Sequence, residues 1–145
     1  MTPEAIRDLL AAHVEAENAH DMGATLATLH PDCVFEDVAL GRTYRGHAGA
    51  EAYYRSWWDA FGLRFARGDE GAGHFTRDGA FIAEGRFQGR HVGEFLSLAA
   101  TGREVNFRFV VVVGFRDGLM AGERFFYDSA TLLGQLGALP PGLER

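Results

Sequence analysis

Cysteine is almost missing from this chain: Cys33 is the only one. An intrachain disulfide is therefore excluded, and a reducing compartment is expected. Long apolar runs are missing too, since no stretch nears the ~18 consecutive apolar residues that span a bilayer. The first residues carry early acids and no signal-peptide core. A cytoplasmic protein with no membrane partner is the expectation. Positive charge is scarce: 14 Lys and Arg face 20 Asp and Glu, giving a net charge of -6 and a pI of about 5.4. A nucleic-acid surface needs a basic face, so nucleic acid is not an expected partner. The six histidines show neither H-x-x-H nor H-E-x-x-H spacing, which argues against a metal site. No Gly-rich loop follows a strand and no G-x-S-x-G occurs, so a nucleotide cofactor and a hydrolase elbow are not expected either.

What remains is apolar and rich in rings. Of 145 residues, 47% are hydrophobic and 23% charged, which fits one folded domain over residues 1–145. Twelve Phe and two Trp exceed what a tight core of this size needs. A Phe-rich core is the plain explanation; an apolar pocket holding a few polar groups is the sharper one.

Thr2-Pro3-Glu4 reads as a helix start, with a capping hydroxyl, Pro at the first position and an acid at the positive end. Ile6, Leu9, Leu10 and Val14 form the stripe of that helix, and His13 and Glu17 read as its polar margin. A second helix follows Asp21 over about Met22–Leu29 and stops at His30-Pro31. Cys33–Asp37 reads as a short strand. A turn through Gly41 and Gly46 leads to a third helix carrying Ala50, Tyr53, Tyr54, Trp57 and Phe61. Asp78-Gly79 and Asp117-Gly118 each sit between β-rich runs and predict hairpins. The strands are expected at about Leu63–Arg77, Ala80–His91, Glu104–Arg116 and Leu119–Tyr127, and the last helix at Ser129–Leu136. Helices first and a mostly antiparallel sheet after them make an α+β fold, with the sheet curling over the helices around a cavity.

Register gives the faces. If Asp117-Gly118 is a two-residue turn, Arg116 pairs with Leu119 and the ladder runs back from there. Phe107, Phe109, Val111, Phe126 and Asp128 then share the pocket face. Arg108, Val110, Val112, Glu123, Phe125 and Tyr127 take the outer face, where a homodimer contact is expected. A single bulge would swap these faces. Asp128 among phenyl rings would be a desolvated proton carrier, whereas Asp128 as a helix cap would be an ordinary carboxylate. His91 would orient Asp128 or polarise a carbonyl, with a turn histidine as the alternative. Trp57 and Trp58 cannot both face the core, and Trp58 is assigned to the pocket with Phe107, Phe109 and Phe126.

Several segments carry a resemblance. They are Asn18-Ala19-His20-Asp21, Tyr44-Arg45-Gly46, Trp57-Trp58-Asp59-Ala60-Phe61, Gly89–Phe95 and Thr101-Gly102-Arg103. The last runs from Gly122-Glu123-Arg124-Phe125-Phe126-Tyr127-Asp128 into Leu132-Leu133-Gly134-Gln135-Leu136-Gly137. In order and spacing the chain resembles the SnoaL-like polyketide cyclases of the nuclear transport factor 2-like superfamily. The resemblance implies a cone-shaped, cystatin-like fold and a homodimer. It implies a cofactor-independent enzyme that closes an apolar, carbonyl-bearing small molecule by aldol chemistry, with Asp128 as general acid/base and His91 beside it. A ketosteroid-isomerase-like proton shuttle, or a non-catalytic small-molecule-binding or interaction domain, would use the same cone.

Overall fold

The computed structural model describes residues 1–66 and 73–143. Helix α1 (Pro3–Asn18) begins where the Ala5 amide donates to Thr2 Oγ1 at 3.1 Å. Helix α2 (Met22–Ala27) is capped by Asp21, which accepts from the Ala24 amide at 3.0 Å. Next come β1 (Leu29–Asp37), β2 (Arg42–Arg45) and helix α3 (Gly46–Phe61), which ends at left-handed Gly62. The sheet continues with β3 (Arg64–Ala66), β4 (His74–Phe75), β5 (Phe81–Arg90), β6 (Glu104–Arg116) and β7 (Leu119–Tyr127). Helix α4 (Ser129–Gln135) closes the order.

Several bounds differ from the sequence reading. β1 starts at Leu29 and carries Pro31 inside it, so the second helix is shorter than expected and the first strand longer. β2 is an added edge strand. Of the expected Leu63–Arg77 strand, β3 and β4 are present, and positions 67–72 lie outside the described residues.

Strand order is β2-β1-β7-β6-β5-β3, with β4 also on β5. All pairings are antiparallel except β1 with β7. The sheet stays open, and α1 and α3 cover its concave face. The fold is therefore the curved α+β cone that was expected. Tyr54, Phe35, Phe61, Phe107 and Phe125 are all at most 2% exposed and fill the space between sheet and helices.

One irregularity decides which side chains face that space. Arg116 pairs with Leu119 and Phe115 with Met120, as a two-residue turn requires. Gly114 then pairs with Gly122, leaving Ala121 as an extra residue in β7. Gly122 has φ 132°, and a Cβ there would collide with the Val34 carbonyl oxygen, so only glycine fits. Beyond the bulge Val113 faces Glu123, Val111 faces Phe125 and Phe109 faces Tyr127. The β6 faces are as expected, and so is buried Met120 before the bulge, but the β7 faces after it are inverted. Glu123, Phe125 and Tyr127 point inward, and Phe126 lies on the exposed convex face.

Candidate functional site

His13 and Glu17 lie one turn apart on α1, on the side that meets the sheet. The reading of them as a polar margin fails, because His13 is 4% exposed and the Glu17 side chain 14%. Opposite them, the bulge turns Glu123 of β7 inward. Between α1 and strands β3, β5, β6 and β7 lies a cavity of about 440 Å³ that both carboxyls line. Its walls are apolar: Leu10 and Val14 from α1, Phe87 from β5, Phe109 and Val111 from β6, Phe125 from β7. Exposed Arg7, Glu15 and Glu84 also line it and mark its mouth.

Electrostatics follow from this burial. Loss of water pushes the Glu17 carboxyl up to about 8, and the charge of Glu123 adds to the rise. Burial pushes Glu123 up to about 7, partly offset by a hydrogen bond from Tyr53. Both carboxyls are therefore held above the ordinary carboxylate range, and a negative charge on Glu123 favours the protonated form of Glu17. Burial drives His13 the other way, down to about 4, which keeps its ring neutral. His13 Nε2 stands 3.0 Å from the Tyr54 hydroxyl and 3.6 Å from Glu17 Oε2. Two carboxyls of raised pKa and a neutral imidazole thus line one apolar cavity, and the Tyr53 and Tyr54 phenols stand behind them, outside its lining. Such a set can take a proton from carbon and deliver one to oxygen.

The residues expected from sequence are spread out. Phe109 lines the cavity. Phe107 faces inward at 1% exposure but packs against Trp57 and Tyr127, outside the lining. Trp58 stacks on His20, with ring centroids 4.7 Å apart, instead of lining the cavity. Phe126 is 37% exposed on the convex side, because of the bulge. Asp128, with the same inversion behind it, is exposed and caps α4: the Thr131 amide and hydroxyl donate to its two carboxyl oxygens at 3.1 and 2.7 Å. His91 is fully buried beyond the end of β5, against Phe61, where its Nδ1 meets Thr101. It is outside the cavity lining, and its hydrogen bond at Nδ1 goes to Thr101 beyond the strand end, as the turn-histidine alternative would have it. The two acids in the cavity were missed. The signal was present in α1, where two polar residues sit i,i+4 beside Leu10 and Val14.

The model of the SnoaL-like polyketide cyclases matches residues 7–136. The chain belongs to this family. No curated protein matches it in sequence. Among solved structures, TsrD from Streptomyces laurentii is 27% identical with a TM-score of 0.80, over 96% of this chain and 99% of that one. A candidate polyketide cyclase from Xanthomonas campestris pv. campestris is 21% identical, TM-score 0.79, over 92% and 97%. An NTF2-like protein of unknown function from Burkholderia pseudomallei K96243 is 21% identical, TM-score 0.72, over 92% and 96%. The last two likenesses establish the nuclear transport factor 2-like fold.

This SnoaL-like chain has a second polar cluster at the far end of its concave face. Asp37 is 2% exposed and accepts from the Leu40 amide at 2.9 Å and the Tyr127 hydroxyl at 3.1 Å. Burial raises its pKa, and these donors with Arg42 oppose the rise. The cluster ties the β1–β2 turn to the end of β7. Among the described residues, no three His, Cys, Asp or Glu side chains gather as a metal site. No described helix is long and apolar enough to cross a membrane.

Proposed function

We propose that this protein is a cofactor-independent acid–base enzyme acting on an apolar, carbonyl-bearing small molecule, in the manner of a polyketide cyclase. The observation that carries the reading is the Glu17–Glu123 pair, two carboxyls with pKa values near neutrality facing one apolar cavity. Glu123 is the base, because the Tyr53 hydrogen bond favours its ionised form. Glu17 is the acid.

In the forward step the Glu123 carboxylate removes a proton from the carbon next to a carbonyl, leaving an enolate. The enolate carbon attacks a second carbonyl carbon of the same molecule. The new alkoxide takes the Glu17 proton, and the proton now on Glu123 resets Glu17. The net change is one carbon–carbon bond formed and one proton moved from carbon to oxygen. The sequence of 145 residues contains no lysine, so no lysine Schiff base enters this mechanism.

The test is deuterium exchange at the α-carbon of an aromatic β-keto ester in D₂O, followed by NMR. Wild type should accelerate exchange above buffer. Glu123→Gln should abolish the acceleration, and Asp128→Asn should keep it. Full exchange by Glu123→Gln, or its loss in a folded Asp128→Asn, would overturn the assignment.

A further inference from the structure

A buried chain of hydrogen bonds runs behind Glu17, and the direction of every proton in it can be worked out. Thr28 Oγ1 lies 2.6 Å from the Thr25 carbonyl oxygen. Two oxygens that close need a proton between them, and a carbonyl has none to give. The Thr28 hydroxyl is therefore the donor there. Thr28 Oγ1 also lies 2.8 Å from His13 Nδ1. Its single proton is already used, so it accepts, and His13 Nδ1 carries the hydrogen. A neutral ring then has only a lone pair at Nε2. The Tyr54 hydroxyl donates to that lone pair at 3.0 Å. Thr25, Thr28, His13 and Tyr54 are each at most 8% exposed, so water cannot readily reverse the pattern.

The same nitrogen, which carries no hydrogen of its own, lies 3.6 Å from Glu17 Oε2. A carboxylate oxygen facing a nitrogen lone pair is repelled, whereas a carboxylic acid is not. The reverse tautomer, with hydrogen on Nε2, would offer Glu17 a donor and favour its ionised form. Among the described residues, the titratable groups acting on Glu17 and Tyr54 are Glu123 from β7, Tyr53 from α3 and Cys33 from β1, and the cation lining the same cavity, Arg7 of α1, is exposed at its mouth.

We propose that Thr28 is a positioning residue for the acid–base pair: by fixing the His13 tautomer it keeps a lone pair, not a proton, toward Glu17 and so holds Glu17 as the acid. Thr28 is not among the residues lining the cavity and acts through the imidazole. This deepens the acid–base reading above and takes its functional meaning from it. The measurements that test it need no substrate, so failure of the cyclase reading and failure of this one are separable.

Long-range ¹H–¹⁵N correlation spectra of the wild-type imidazoles should show His13 as the Nδ1–H tautomer through pH 6–8. An Nε2–H tautomer there overturns the proposal, whatever any variant does. Carboxyl ¹³C titration should then show the Glu17 midpoint falling toward the ordinary carboxylate range in Thr28→Val. Thr28→Ser, which keeps the hydroxyl, should restore the wild-type midpoint and tautomer. A folded Thr28→Val with an unmoved Glu17 midpoint, or a Thr28→Ser that behaves like Thr28→Val, overturns it.

Discussion

The side-chain amide of Gln135 pairs with the backbone of Asn106 in both directions. The Asn106 amide donates to Gln135 Oε1 at 2.9 Å, and Gln135 Nε2 donates to the Asn106 carbonyl at 2.7 Å. On its other side β6 is paired with β5 at Asn106, whereas β7 has ended at Tyr127 opposite Phe109. The glutamine thus supplies the ladder bonds of a missing strand and pins α4 to the sheet.

Gln135→Ala should lower stability by about 1 kcal/mol, the net worth of a partly exposed hydrogen-bonded pair. Hydrogen exchange should show faster opening of α4, with β6 protected. Gln135→Glu should lose nearly as much, because a carboxylate cannot donate to the Asn106 carbonyl. Unchanged exchange in α4 would remove this role.

Stability should fall as pH rises from 6.5 to 8. Glu17 and Glu123 have folded pKa values of about 8 and about 7, above the ordinary 4.5. In that interval the folded state holds more protons than the unfolded one, so raising the pH favours unfolding. Their contribution is complete below pH 4.5 and is lost as pH passes through 7 and 8. His13 acts oppositely, but only between its folded value of about 4 and 6.5. The unfolding free energy from denaturant titration should therefore drop by roughly 2 kcal/mol across pH 6.5–8. The Glu17→Gln/Glu123→Gln double variant should show a flat line there. A wild-type midpoint that rises over the same interval contradicts the burial of the pair.

Gly122→Ala should be among the most damaging single-methyl additions. The new methyl would meet the Val34 carbonyl, and the backbone angle is one that L-residues rarely adopt. A loss of about 2 kcal/mol or more is expected in urea unfolding. Gly118→Ala, where a Cβ meets open space but φ is 78°, should cost less. Equal losses would show that strain alone, without the β1 contact, accounts for the effect.

The homodimer expectation moves with the bulge. Phe125, at 2% exposure, belongs to the core, and Phe126 stands on the convex face beside Val110. Light scattering at micromolar concentration should report a dimer for wild type and a monomer for Phe126→Glu. Phe125→Glu should unfold the protomer, since an unpaired charge would replace a core ring. A monomeric wild type rules out pairing at this concentration.

Element positions were legible because their signals are local. Thr2-Pro3, Asp21 and Asp128 cap helices, and Asp117-Gly118 makes a two-residue turn. The β7 faces were not legible, because one extra residue at Ala121 reverses every later side chain. The clue was Gly122, a lone glycine inside a strand pattern. The parallel β1–β7 pairing leaves no local trace. Nor does the meeting of Glu17 with Glu123, which depends on how the sheet curls. Periodicity treats a polar residue beside an apolar stripe as its border, so His13 and Glu17 were passed over.

The strand made last lies in the middle of the sheet. In the hydrogen-bonded ladder, β1 and β2 on one side are joined to β6 and β5 on the other through β7. While the chain is being synthesised, two half-sheets must wait, each with an unpaired edge where β7 will join. The cavity cannot exist in any nascent chain that stops short of Glu123. A chain cut before β7 would therefore be a pair of adhesive fragments, not a weaker version of the whole.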